Sequence, residues 1–389
     1  MIRNWAGNVT YRAGRLHRPE SIEELRALVA RTSKIRAMGT GHSFNTLADS
    51  PGELVSLERL PYQVEIDSAA RKARVGGGMT YAQVCPRLHE HGFALRNLAS
   101  LPHIGIAGAV ATGTHGSGAG NRCLAAEVAG LELVTADGDV VELSRGEPGF
   151  DGAVVSLGAL GVVTALTLDL VPAYELRQYV FEDASPEDYA VDGYSVSVFT
   201  DWNVSRLWVK DAGEPRVDAP PADGPRHPIP GMSPEHCTRQ LGVPGPWHER
   251  LPHFRAEFTP SAGEELQSEF MLPRNRADEA LRALAEIGDR VRPVLHISEI
   301  RTIAADELWL SPCRGRDTVA VHFTWVKAPE RVLPVIELVE EVLRPFDPRP
   351  HWGKVFTRFP EPEPRFRELA DRFDPRGKFR NDLLTGVLG

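Results

Sequence analysis

Apolar residues fall into helical and strand periods along most of this chain. Ile22, Leu25, Leu28 and Val29 recur at three- and four-residue steps, which puts them on one face of a helix. Ser21 and Glu24 form a capping-box signature at its start. Thr80 and Gln83 repeat that signature before a second helix, which Pro86 is expected to kink. Further helices are expected over residues 277–287, 329–343 (despite Pro334) and 365–373. Strands are expected at 35–38, in a hairpin of 64–66 with 73–75 that ends in three glycines, and over 161–170. Residues 131–135 and 140–143 pair across Asp137-Gly138, a two-residue hairpin signal. The segments 194–199, 206–210, 294–301 and 318–325 alternate as antiparallel strands do.

The late strands carry candidate chemistry. Residues i and i+2 of a strand share a face. Val319, Val321, Phe323 and Trp325 form one apolar face, with His322 and Thr324 on the other. Glu299 and Arg301 share a face of the preceding strand. Two readings stay open on pattern alone: a polar floor for a polyhydroxylated ligand, or the solvent side of an ordinary sheet with a surface ion pair.

Two glycine-rich stretches narrow the picture. Gly39-Thr40-Gly41-His42-Ser43-Phe44-Asn45 follows the 35–38 strand. Its glycines permit close backbone approach to a ligand, and successive N–H groups in such a turn can form an anion-binding nest. A histidine inside that nest departs from phosphate loops, which put a lysine there. Residues 100–118 hold five glycines with Thr112, Thr114 and Ser117, a composition suited to a long loop gripping a ligand through backbone and hydroxyl groups.

Size and charge exclude several classes. A chain of 389 residues suggests two domains, and Pro172 is a plausible boundary. The net charge of −9, without a basic block, argues against nucleic acid. No secretory h-region and no long apolar run are present, so a cytoplasmic protein without membrane contact is expected. The scattered Cys85, Cys123, Cys237 and Cys313 form no CxxC pair, which argues against zinc; His89-Glu90-His91 and His248-Glu249 lack the HExxH spacing, and no metal is expected. Reduced thiols are the expectation. Residues 215–260 contain eleven prolines and are expected to form an ordered covering loop around Trp247, Phe254 and Phe258.

GTGHSFN, the 100–118 loop, Glu299-Ile300-Arg301 and His351-Trp352-Gly353-Lys354 together resemble the alditol and xylitol oxidases, flavoenzymes of the vanillyl-alcohol-oxidase type. The resemblance runs from Asn4-Trp5-Ala6-Gly7 to Lys378-Phe379. It implies a two-domain α+β fold: an FAD-binding domain of two α+β subdomains over 1–171, completed by 355–389, and a substrate domain over 172–354 whose antiparallel sheet covers the flavin. It implies FAD bound covalently through His42. Gly39, Thr40, Gly41, Ser43 and Phe44 would offer N–H groups to the pyrophosphate. Ser100, Gly108, Gly113, Thr114, His115, Gly116 and Ser117 match the second cofactor loop, and Val163 a strand edge near the adenine. Ser100, Glu299, Arg301, Thr324 and Lys354 match polyol contacts, with His322 nearby. Lys354 or His322 would act as base and Arg301 as the electrostatic stabiliser. The implied reaction is oxidation of a terminal carbinol of xylitol or sorbitol, with oxygen reduced to hydrogen peroxide, by a monomer. A sugar-1,4-lactone oxidase or dehydrogenase, or a flavin-binding protein without turnover, are the alternatives.

Overall fold

In a computed structural model, all residues are described except Tyr62 and 259–262. The last residues of the proline-rich segment therefore lie outside the described ones.

The N-terminal part opens with a small parallel sheet. Glu53–Val55 runs between Arg15–His17 and Ile35–Ala37. The helix Ile22–Arg31 buries Leu25, Leu28 and Val29, as its period predicts. Ser21 Oγ accepts from the Glu24 N–H at 3.1 Å, but the Glu24 carboxylate accepts from the N–H of Glu20 at 2.8 Å rather than from the cap itself. A five-stranded antiparallel sheet follows, in the order Val64–Asp67, Lys72–Gly76, Val162–Asp169, Val128–Val134, Val140–Ser144. Both expected hairpins are in it. Gly138 takes φ +85° at the tight turn, a conformation open to glycine at no steric cost.

The helix Tyr81–Glu90 runs through Pro86 as one element, and Gln83 Oε1 accepts from the Thr80 N–H at 2.9 Å. The 100–118 stretch is not a loop throughout: Ile106–Ala111 is a short helix capped by Gly105. Its alanines and buried Ile106, Ala109 and Val110 favour that turn over an open loop.

Between Leu170 and Glu175 the chain changes sheet. The second sheet has eight antiparallel strands, in the order Gly245–Pro246, Glu175–Ala184, Ser205–Asp211, Ser195–Thr200, Leu295–Ile303, Thr318–Val326, Glu265–Pro273, Arg349–Pro350. Glu175–Ala184 and Glu265–Pro273 were not expected from the sequence. Val319, Val321, Phe323 and Trp325 pack with Leu281 and Leu284 of the helix Ala277–Glu286 and with Val332, Ile336 and Val339 of the helix Pro329–Leu343. Helices therefore cover one face of this sheet, and the polar face turns away from them.

The proline-rich segment is threaded by short 3-10 turns such as Pro234–His236 and Trp247–Glu249. Trp247 is fully buried, while Phe254 and Phe258 are half-buried. All four cysteines are free and buried. No helix among the described residues is long and apolar enough to cross a membrane.

The C-terminal helices Pro364–Phe373 and Asp382–Leu388 join the N-terminal core, with Phe366, Leu369 and Leu384 beside Phe150 and Val154. Polar ties hold the tail there. Lys378 Nζ donates to Val29 O, Ala30 O and Ala136 O at 2.5, 3.2 and 2.6 Å. Asn381 Nδ2 donates to the carbonyls of Thr46, Leu47 and Asp49. Lys378→Met strands three carbonyls away from water and should lower unfolding free energy by about 2–4 kcal/mol. Urea titration checks this; a loss under about 0.5 kcal/mol, the level of an ordinary surface substitution, would show that the tail is held by other contacts.

Candidate active site

A cavity of about 700 Å³ lies between the glycine turn 39–44, the stretch following Ala99 and the polar face of the eight-stranded sheet. Gly39, Thr40, Gly41, His42, Ser43, Phe44, Ser100, Gly108, Thr114, His115 and Val163 line it from one side. Glu299, Arg301, His322, Thr324 and Lys354 line it from the other. Of the two readings of the late strands, the pocket-lining one matches: Glu299 and Arg301 are buried, with side chains facing the cavity rather than bulk solvent.

The glycine turn leaves a run of backbone donors open. Gly41 takes φ +74°, and a Cβ added at Gly39 or Gly108 would meet nothing within 4 Å. The N–H groups of residues 39–43 have no intramolecular acceptor among the described residues. Phe44 differs: its N–H donates to Gly353 O at 2.8 Å, so it is not available to a pyrophosphate. Gly113, Gly116 and Ser117 also depart from the expectation, since none of them lines the main cavity. A Cβ at Gly113 would meet Pro312 at 2.9 Å, and one at Gly116 would meet Asn97 Oδ1 and Leu98 O at 2.3 Å. Ser117 Oγ is spent on the carbonyl of Val196. These three serve close packing.

His42 stacks on Trp5, with ring centroids 4.9 Å apart and planes 18° apart. Its Nδ1 is 3.0 Å from Thr40 Oγ1. Burial, with His103 nearby, brings the imidazole down to about 4, so it is uncharged at neutral pH and keeps a nucleophilic nitrogen.

The floor is organised by a residue that the sequence reading missed. Glu269, on Glu265–Pro273, has no exposed side-chain surface. Its Oε1 accepts from Arg301 at 2.5 Å and its Oε2 from Lys354 Nζ at 2.5 Å. His115 Nε2 lies 3.3 Å from Oε1, at ion-pair distance but poorly aligned for a hydrogen bond. Burial alone would raise the Glu269 carboxyl; Lys354, Arg301 and His115 outweigh it and hold the group well below the usual range. Glu299 follows the same logic: burial raises it, and Arg301, His253 and His322 pull it down further.

Lys354 is lowered from its ordinary value, first by burial and then by Arg301, with Glu269 opposing. His322 is brought down to about 3 by burial and by Lys354. Its ring makes no hydrogen bond among the described residues, so a neutral acceptor stands in the cavity. In register, Glu269 faces His322 across one strand gap and His322 faces Glu299 across the next. His351 donates no charge either: burial and Lys354 keep it well below its usual value. Also unanticipated were Gln267, His253 and His351, which line the same cavity. The alternation of Glu265, Gln267 and Glu269 opposite Leu266 and Phe270 is the sequence signal that would have found the missing strand.

Comparison with known proteins bears on the fold and the family. Residues 14–144 match the family described as FAD binding domain, and residues 264–387 the family described as D-arabinono-1,4-lactone oxidase. A solvent-stable cholesterol oxidase superposes with a TM-score of 0.80 at 14% identity, covering 100% of this chain and 97% of that one. The cholesterol oxidase of B. sterolicum superposes at 0.78, again with 14% identity, covering 100% and 96%. Those two likenesses speak to the fold. The FAD-binding family match and the fold, with one full-length relative, define an FAD-dependent oxidoreductase of the vanillyl-alcohol-oxidase type acting on CH–OH groups. Within that class, the chain is 54% identical to an alditol oxidase of Streptomyces sp. (strain IKD472 / FERM P-14339), over 100% of this chain and 99% of the relative. It is 28% identical to an L-gulono-1,4-lactone dehydrogenase of Mycobacterium tuberculosis (strain ATCC 25618 / H37Rv), over 99% and 98%. The chain belongs to the alditol oxidase family.

The buried histidines fix the direction of one pH effect. His253, His322 and His351 all lie below their ordinary value, so the unfolded chain binds protons first. Stability is then complete above about pH 6.5 and falls as the pH drops, each such group contributing up to about 1.4 kcal/mol per pH unit. Urea midpoints of the holoenzyme should decrease from pH 7 to pH 5, and His322→Asn should reduce that slope. A midpoint that rises on acidification would contradict the buried neutral assignment.

Proposed function

We propose that this chain oxidises the terminal carbinol of an alditol such as xylitol or sorbitol to the aldose, with oxygen as acceptor and hydrogen peroxide as product. The observation that carries this reading is the polar floor: Glu299, Arg301, His322, Thr324 and Lys354 converge on one cavity with donors and acceptors in near-balance of charge. The open glycine turn and the uncharged His42 fit FAD, with the N–H groups of 39–43 holding its pyrophosphate and His42 as the covalent tether. Residues 1–171 with 355–389 would form the domain that holds it, and 172–354 the one that binds substrate. When bound, FAD supplies the two-electron acceptor for the carbinol C–H and passes the electrons to oxygen.

The chain's own groups then account for orientation and the proton. Ser100 and Thr324 offer hydroxyls to the polyol. Glu299 accepts from one substrate hydroxyl. Lys354 donates to the reacting oxygen while its pairing with Glu269 keeps it in place. Arg301, permanently charged, stabilises negative charge that develops beside the floor. His322 takes the hydroxyl proton, because its ring is neutral and uncommitted whereas Lys354 Nζ is engaged by Glu269 at 2.5 Å. Arg301 Nε makes no hydrogen bond and lies 3.6 Å from Glu299 Oε1.

The match to the lactone-oxidase family over residues 264–387 supports a second reading, turnover of sugar-1,4-lactones. A peroxide assay with xylitol, sorbitol and an aldono-1,4-lactone separates the two. The alditols should be oxidised with the lactone inert; lactone turnover without alditol turnover would reverse the reading.

Two further outcomes test the roles. Acid-precipitated protein should stay yellow and His42→Ala should not; all flavin appearing in the acid supernatant of the unsubstituted protein would exclude the tether. His322→Asn should slow anaerobic flavin bleaching by about 10²-fold, the size expected for a lost general base. If instead the bleaching rate climbs with pH and that climb vanishes in Lys354→Met, the proton belongs to Lys354.

A further inference from the structure

Behind Glu299 lies a buried chain of polar groups that the reaction as described does not use. Lys210, on the strand Ser205–Asp211, is 1% exposed. Its ammonium donates to Leu251 O and lies 3.1 Å from His253 Nδ1. His253 is 5% exposed, and its Nε2 is 2.9 Å from Glu299 Oε1. Phe199 and Trp208 stand edge-on to the imidazole at 5.3 and 5.4 Å, which fixes its plane. The backbone N–H of His253 also donates to Ser100 O at 3.0 Å, so the same residue touches two of the proposed polyol contacts.

The direction of each bond follows from chemistry. Burial brings the Lys210 amine down to about 7, but charged or neutral it keeps N–H donors, and a carboxylate has only acceptors. Nδ1 of His253 must therefore accept and Nε2–H must donate. That leaves one ring tautomer and one charge state, a neutral imidazole. Glu299 accepts at Oε1, and Oε2 has no hydrogen bond among the described residues while its side chain lines the cavity. The charged groups facing His253 are Lys210, Glu299 and Arg301, and Cys237 faces Lys210. Burial and Lys210 push the imidazole down to about 4 against the pull of Glu299.

We propose that Lys210 and His253 are positioning residues: Lys210 occupies Nδ1 and keeps the ring uncharged, so that Nε2–H holds one oxygen of Glu299 and leaves the other, still anionic, as acceptor for a substrate hydroxyl. Without Lys210, His253 would take a second proton beside Glu299, and the new imidazolium would pair with the carboxylate and compete with substrate. The kinetic part of this rests on the alditol reading of the same cavity; the ring's protonation does not.

Nitrogen-15 NMR of histidine-labelled holoenzyme reads the ring directly, with the His253 signals assigned by their loss in His253→Gln. In the unsubstituted protein, Nδ1 should keep an unprotonated acceptor shift from pH 8 to pH 5. In Lys210→Met it should move to the protonated position within that range. The same variant should lose about tenfold in kcat/KM for xylitol, mostly in KM, as for one hydrogen bond to a charged group, with flavin content unchanged. His253→Gln, whose amide can still donate to Glu299, should keep most of kcat/KM, and His253→Leu should lose as much as Lys210→Met. An Nδ1 that stays unprotonated to pH 5 in Lys210→Met, or equal losses in His253→Gln and His253→Leu, would overturn the proposal. Failure of the alditol reading is separable, because it would abolish xylitol turnover in every variant while leaving the NMR result intact.

Discussion

One buried carboxylate governs the polar half of this molecule. Glu269 has no contact with solvent and stays ionised only because Arg301, Lys354 and His115 surround it. An unpaired charge there would cost several kcal/mol, so the three partners cannot drift without penalty. They come from three separate places: a neighbouring region of the sheet, the segment after Arg349–Pro350, and the glycine-rich stretch of the first core. Pairing one carboxylate therefore fixes how those pieces meet. The register multiplies the constraint. Glu269, His322 and Glu299 are level on adjacent strands, and a slip of one residue in any of these strands would turn its own member into the apolar core.

The same pieces are tied again at the backbone. Phe44 N–H donates to Gly353 O, and Asn45 Nδ2 donates to the carbonyls of Trp352 and Lys354 at 2.8 Å each. The turn that carries His42 is thus held against the segment that carries Lys354. The proposed cofactor nest and the proposed substrate floor are placed relative to each other by three hydrogen bonds and an ion pair. Neither group needs a long flexible link, which suits a reaction that depends on close approach of two bound molecules.

Much of this was readable from sequence where one period acted alone. The helix Pro329–Leu343 has an uninterrupted apolar stripe, and Thr318–Val326 alternates cleanly, so both elements and the facing of His322 follow from pattern. The strand Glu265–Pro273 was hidden because Ser268 breaks its apolar side. That serine is fully buried and accepts from Trp325 Nε1 at 2.8 Å, a cross-strand bond invisible to any local pattern. Glu269 was lost with it. The second glycine-rich stretch misled in the opposite way: Gly113 and Gly116 are needed for close packing against Pro312 and Asn97, and local composition does not distinguish a glycine that faces a ligand from one that faces another chain segment. Phe44 shows a further limit, since its amide is claimed by a residue more than 300 positions away.

The balance of charge also bears on what the cavity accepts. Glu269 and Glu299 are anionic, Arg301 and Lys354 cationic, and His322 and His351 are held neutral by burial. A floor with two charges of each sign has no net charge to offer a carboxylate or a phosphate ester. It does have fixed donors and fixed acceptors a few ångströms apart. A neutral ligand whose hydroxyls each give one hydrogen bond and take another matches that alternation along its length. A hydrophobic ligand would leave those groups buried and unpaired, at a cost of about 1–3 kcal/mol each. By that cost the floor favours polar ligands over apolar ones, although the chain shares the fold of the two cholesterol oxidases, and the preference comes from the same ion pairs that hold the sheet to the rest of the protein.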